Sequence, residues 1–287
     1  MKVCENSAVG VRLTWRFPED VCRLMGTMIL ISLVNLGIGA EYRVVHCPYG
    51  CPSSNREDNK LMFRQTYALS YNRSNLSPVW AAYHMVAEGV GIATGLPREI
   101  IVEEVPGTTL TANEFEILEQ QGSVRVQLAP LVNFAATPYW SSSNYATNSV
   151  DMPSPLASGA WAGLDWASRN LVARQGEVYI IAGPIFEESK NYRHTQPESE
   201  YVSPKGFFKV VYTTSGEASY FLFEATLPVH VHHCERRATL EQIQEASRLT
   251  LMPRAINLAF ETMDEKLGCN RNIHIHSRIF HHLNGEM

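Results

Sequence analysis

Residues 207–213 and 219–225 alternate or run apolar, with Thr214-Ser215-Gly216-Glu217 between them. That pattern is a β-hairpin: strands need a period-two or continuous apolar run, and a polar, glycine-containing connector supplies the turn. A second pair reads the same way. Residues 67–71 and 79–85 are rich in aromatic and β-branched side chains, with Asn, Ser and Pro between them. Residues 178–181 add a short apolar strand running into Gly183-Pro184. Two helices accompany the strands. In 160–173, Trp161, Leu164, Ala167, Leu171 and Val172 recur at helical spacing, flanked by Gly159 and Gly176. The other begins after Thr239, an N-cap, with Glu241 and Gln242 in its first turn. Hairpins with scattered helices predict an α+β domain.

The chain has 287 residues, 45% hydrophobic and 18% charged, enough to bury a substantial core. Its formal net charge of −5 excludes a basic protein that coats nucleic acid through its overall field. Any polyphosphate partner must be drawn by local arginines or a metal ion. The apolar run 25–40 follows Arg16 and Arg23 and ends in Gly39-Ala40. It reads as a signal peptide cut near Ala40, the alternative being an uncleaved anchor of the same orientation. Residues 41–270 have a uniform texture and read as one domain, followed by a His-rich tail at 271–287. Cleavage would remove Cys4 and Cys22 and leave Cys47, Cys51, Cys234 and Cys269. An even number in an oxidising compartment implies disulfides. Three pairings are open, of which Cys47–Cys51 with Cys234–Cys269 is the simplest. Asn72-Arg73-Ser74 and Asn75-Leu76-Ser77 fit glycosylation sequons.

Chemistry concentrates between residues 123 and 169. A long stretch rich in Ser, Asn, Pro and Thr separates Ala129 from Gly159, and loops of that size in compact domains are usually functional. Asn144 and Asn148 suit turns that hold such a loop. Asp165 and Arg169 stand four apart on the helix and share a face, where they are able to pair. On a solvated surface such a pair is worth little.

Ser123-Val124-Arg125-Val126-Gln127-Leu128-Ala129-Pro130, Asn144-Tyr145, Asn148 and Leu156-Ala157-Ser158-Gly159-Ala160-Trp161, ending at Asp165, follow one another in an order that resembles a known family. The DNA/RNA non-specific endonucleases carry Asp-Arg-Gly-His, then x-Ala-Pro, an Asn-Tyr pair, a second Asn, Leu-Asn-x-Gly-x-Trp and a Glu. The spacing from Val124 to Asp165 matches without a gap. Cys47-Pro48-Tyr49-Gly50-Cys51-Pro52, Val79-Trp80-Ala81-Ala82-Tyr83-His84, Ala182-Gly183-Pro184, Phe208-Lys209-Val210-Val211, Cys234 and Leu267-Gly268-Cys269-Asn270 extend the likeness to roughly residues 47–270. The resemblance implies a ββα-metal fold, a central antiparallel sheet flanked by helices, and two disulfides. It also implies a histidine base, a magnesium ion held directly by the asparagine of Leu-Asn-x-Gly, an acidic residue that orients the metal's water shell, and arginines that hold phosphate.

Carried over residue by residue, Arg125, Asn144, Asn148 and Arg169 match the family pattern, and Asp165 stands where glutamate is expected. Arg98 aligns loosely with a further phosphate-binding arginine. Gln127 stands at the position of the base and Ala157 at that of the metal ligand. A glutamine amide does not titrate near neutrality, and a methyl group binds no cation. A rescue would use Asp151 or Asp165 for the metal and His84 as base, although His84 falls on a strand where a structural role suits it better. His230 and His232 would share one face of an extended strand, where zinc is conceivable, but no third ligand is evident nearby. His274, His276, His281 and His282 read as a solvated end.

Three functions compete. The first is a secreted, degenerate nuclease homologue that still binds DNA, RNA or another polyanion through Arg98, Arg125 and Arg169, without stable membrane association after cleavage. The second is an active magnesium-dependent endonuclease with a rearranged site. The third is a non-catalytic secreted module that binds a protein.

Overall fold

A computed structural model describes residues 2–8, 11–17, 44–54, 59–103, 111–186 and 203–270, the first two segments by their backbone alone. The chain divides into two units, residues 1–43 and 44–287. In the first unit β1 (Lys2–Ala8) pairs antiparallel with β2 (Val11–Phe17). The apolar run 25–40 and the His-rich tail lie outside the described residues. Among the described residues no helix is long and apolar enough to cross a membrane.

The second unit is built on one large sheet. Its strands are β3 (Asn59–Phe63), β4 (Ala68–Asn72), β5 (Ser77–Val86), β8 (Glu177–Ile185), β9 (Gly206–Tyr212), β10 (Glu217–Glu224) and β11 (Arg237–Ala238), ordered β11-β10-β9-β8-β5-β4-β3. Neighbours on that path are antiparallel, and β12 (Glu261–Thr262) adds to β10 in parallel. The expected hairpins are β4–β5 and β9–β10, and the expected lone strand is β8. A separate ribbon pairs β6 (Ser123–Gln127) with β7 (Ser149–Pro153). The helices are α1 (Ala112–Gln120), α2 (Ala162–Gln175) and α3 (Leu240–Ser247). Thr239 caps α3 through a reciprocal box: its Oγ1 accepts from Gln242 N–H (3.2 Å), and its own N–H donates to Gln242 Oε1 (2.9 Å).

Period-two alternation divides the sheet between two cores. On one face Ala81, Tyr83 and Met85 of β5, Val178, Ile180 and Ala182 of β8, and Phe207 and Val211 of β9 meet Leu164, Leu171 and Val172 of α2 and Val150 and Met152 of β7. On the other face Trp80, Ala82, Tyr179, Ile181, Phe208 and Val210 meet Ile243 of α3 with Leu249 and Leu251. The sheet is thus covered on both sides, and the candidate site belongs to the α2 side.

Two details refine the sequence reading. Asn72 is buried, its Nδ2 donates to Asn59 Oδ1 (2.8 Å) and its Oδ1 accepts from Asn75 N–H (2.8 Å). A glycan on that nitrogen is incompatible with this packing, so the first sequon is structural. Residues 230–232 form no strand. His232 instead caps a short turn at 233–236, and His233 is buried with Nε2 at 3.1 Å from the Leu267 carbonyl. His232, His233 and Cys234 cluster, but the Cys234 sulfur is bonded to Cys269 and is not a free metal ligand.

Both disulfides, Cys47–Cys51 and Cys234–Cys269, are formed. The second joins residues 35 apart, so it removes far more freedom from the unfolded chain. Replacing Cys234 and Cys269 together with alanine is expected to cost about 3–4 kcal/mol in urea unfolding, well above the loss from replacing Cys47 and Cys51. Equal losses would contradict this account.

Candidate active site

The β6–β7 ribbon sets the site's first wall. Alternation turns Val126 onto the core, so Arg125 and Gln127 face the other way, opposite Asp151 and Ser149. The Gln127 side chain is engaged at both ends. Its Nε2 donates to Asn144 Oδ1 (2.8 Å), and its Oε1 accepts from Leu131 N–H (2.9 Å). Asn144 is buried and its Nδ2 donates onward to the Pro97 carbonyl (2.8 Å). Arg125 Nη2 donates to the next carbonyl, that of Arg98 (2.6 Å), while the Arg98 side chain is exposed. Burial and the nearby Arg98 charge lower the Arg125 pKa, and Glu119 opposes them. Gln127, Asn144, Arg125 and the backbone at Pro97-Arg98 therefore come together.

Asn148 is a latch. Its Oδ1 accepts from Ala129 N–H (3.0 Å), and its Nδ2 donates to the carbonyls of Ala129 and Ser143 (2.9 Å each). Fully buried, it holds the chain leaving β6 against the loop that returns to β7. A buried amide with three partners of this kind is costly to replace, because any loss leaves backbone groups unsatisfied.

The second wall is the run into α2. Residues 157–161 form a π-turn rather than the start of a regular helix. Ala157 opens it and packs on the core. Leu156 and Trp161 are buried on either side. Gly159 is required by close approach: a Cβ there would lie 2.5 Å from the Val229 carbonyl oxygen. The helix proper then carries Asp165 and Arg169. These two do not pair. Arg169 Nη1 reaches Asn133 Oδ1 at 3.5 Å, whereas Asp165 forms a buried ion pair with Lys209 Nζ. Lys209 is completely buried, and its ammonium sits 3.7 Å from the centroid of the Trp161 ring. Burial lowers the Lys209 pKa, and Asp165 opposes that shift.

Lys209 is the residue that sequence reading missed. The signal was present: β9 was legible as a strand, and alternation puts Lys209 on the buried face with Phe207 and Val211. A lysine there needs a carboxylate partner. His84 points to the other face of the sheet, where it stacks on Tyr179 (4.3 Å) and contacts Glu177 (2.8 Å). The sheet thus separates it from Asp165 and α2. Asp151 is buried, and its Oδ1 lacks a hydrogen-bond partner.

Two stability tests follow from these buried carboxylates. Lys209→Met strands the Asp165 charge and is expected to cost about 3–5 kcal/mol, most of it recovered by adding Asp165→Leu. Urea unfolding of both variants checks this, and a double variant no more stable than the single would refute it. Asp151 has its carboxyl pushed up to about 6, chiefly by burial. A raised carboxyl pKa means that the folded state binds the proton more tightly than the unfolded chain. Its contribution is full below about pH 4 and is lost as pH rises through about 6. Asp151→Asn is therefore expected to stabilise the protein by about 1–3 kcal/mol at pH 8 and hardly at pH 4. A gain independent of pH would contradict the assignment.

Comparison with known proteins identifies the family and the fold. The profile of the DNA/RNA non-specific endonucleases matches residues 46–253. The chain is 26% identical to a nuclease of Serratia marcescens over 240 residues, 78% of this chain and 89% of the relative. It is 24% identical to nuclease C1 of Cunninghamella echinulata over 217 residues, 70% of this chain and 85% of the relative. Among solved structures, a chain from the EndoG/EndoGI complex, described as revealing the mechanism of EndoG inhibition, shares the fold with a TM-score of 0.60 and 17% identity. The match covers 76% of this chain and 94% of that one. The profile spans most of the chain, and the chain belongs to the DNA/RNA non-specific endonuclease family.

Proposed function

We propose that this protein is an exported family member that binds nucleic acid or a similar polyanion and has lost, or nearly lost, phosphodiester hydrolysis. One observation carries the reading: at the position of the base stands an amide whose two ends are both engaged, by Asn144 and by Leu131 N–H. A general base must titrate near the working pH and keep an acceptor free for the attacking water. Gln127 does neither. Absence of a general base costs roughly a hundred- to ten-thousand-fold in rate.

The residues present do not fit a magnesium ion either. Magnesium asks for oxygen ligands in near-octahedral array. Ala157 offers a methyl group, Asn148 spends its amide on backbone groups, and the Asp165 carboxylate is held by Lys209. What remains is phosphate recognition: the exposed Arg98, the half-buried Arg125 beside it, and Arg169 on α2 supply charge-assisted donors. Two disulfides suit an oxidising compartment, which supports export with the run 25–40 as the signal segment.

Plasmid nicking with magnesium or manganese tests the catalytic half. The expected result is no cleavage above background, and chelator-sensitive nicking would overturn the reading. Salt titration of duplex binding tests the other half. Three arginines on phosphates predict a slope of log K against log salt of about −2 to −3. Installing Gln127→His with Ala157→Asn is expected to restore some nicking, whereas either change alone leaves the protein inactive. A folded double variant that stays dead would show that the defect lies elsewhere.

A further inference from the structure

Trp166 stands out among the tryptophans with described side chains. Trp80 and Trp161 are buried, whereas Trp166 is 66% exposed. It follows Asp165 directly on α2, a helix that turns Leu164, Ala167, Ser168 and Leu171 inward. Helical geometry makes Trp166 a surface neighbour of Arg169, three residues on, and of Asn170, four residues on. Arg169 is one of the cations of the candidate site, and its guanidinium is part-buried, with Nη1 reaching Asn133 Oδ1 at 3.5 Å. A large flat apolar ring is thus held in solvent by a helix, one turn from a guanidinium. Among the described residues no packing accounts for it.

We propose that Trp166 is a platform on which an unpaired base of a single-stranded polynucleotide stacks, with Arg169 on the adjoining phosphate. The charge of Arg169 suits that ligand, and aromatic stacking tolerates any base because every base has a π face. Base pairs inside a duplex are already stacked on both faces, so the platform favours single strands. This rests on the polyanion-binding reading above.

Fluorescence anisotropy tests it on the full chain with labelled oligo-dT of 20 nucleotides and a 20-bp duplex at one fixed salt concentration. The wild type is expected to bind the single strand more tightly than the duplex. Trp166→Ala should weaken single-strand binding by at least about five-fold, the lower end expected for one stacked base, and change duplex binding by less than about two-fold. Trp166→Phe should retain most single-strand affinity, and an unchanged melting temperature in both variants shows that folding is intact. Unchanged single-strand binding in Trp166→Ala, or equal weakening of both forms, overturns the platform while leaving polyanion binding in place. A wild type that binds neither form overturns both readings.

Discussion

The buried pair between Lys209 and Asp165 ties the central strand β9 to the helix α2. Taking two opposite charges out of water is expensive, and mutual attraction repays it only with close geometry and full satisfaction. Here the ammonium also lies against the Trp161 ring, so one lysine engages both the helix and the π-turn before it. A stranded charge on either side costs several kcal/mol, which penalises any slip of α2 along the sheet. The position of α2 in turn fixes Arg169 and Trp166. The geometry of the whole site therefore depends on an ion pair whose lysine is fully buried.

The family pattern is kept and lost along a physical line. Leu156, Gly159 and Trp161 are kept, and each is required by packing or by close backbone approach. Asn148 is kept and latches the loop. On the proposed reading Gln127 and Ala157 depart, at the positions whose family residues would act on water and metal rather than on the protein. A scaffold under selection for folding but released from hydrolysis would show this division. Phosphate recognition needs only correctly held guanidinium groups, and Arg125 is held by the Arg98 carbonyl.

Much of the fold was legible because its strands alternate cleanly. The β4–β5 and β9–β10 hairpins, β8, α2 and the Thr239 cap all follow from periodicity and capping chemistry. The β6–β7 ribbon did not, since its strands are short and carry polar residues on one face and modest apolar ones on the other. The helix expected over 160–173 is preceded by a kinked π-turn at 157–161 with non-helical backbone at Gly159 (φ −92°, ψ −113°), which apolar spacing does not signal. The site was half legible. Order and spacing singled out Arg125, Gln127, Asn144, Asn148 and Asp165, yet did not join Asp165 to Lys209. Lys209 lies 44 residues away, and only the fold brings it to α2. The expectation that Asp165 faces Arg169 used local helix geometry alone, and a tertiary partner in a drier environment prevailed.

On the proposed reading, glutamine at position 127 is more than the loss of a base. A neutral imidazole also has one donor and one acceptor, so it is able to satisfy a pair of neighbours in a buried corner. A catalytic histidine must leave its second nitrogen open to the reacting water. Gln127 uses its donor on Asn144 and its acceptor on Leu131 N–H, closing the chain of amides that runs on to Pro97. The substitution thus converts a group that must stay partly unsatisfied into one that is paired at both ends. Such a change favours stability over reactivity, because a buried polar atom held without a partner is a standing cost to the fold. The shorter acid at 165 points the same way: bound to Lys209, its carboxylate serves the packing of the helix against the sheet.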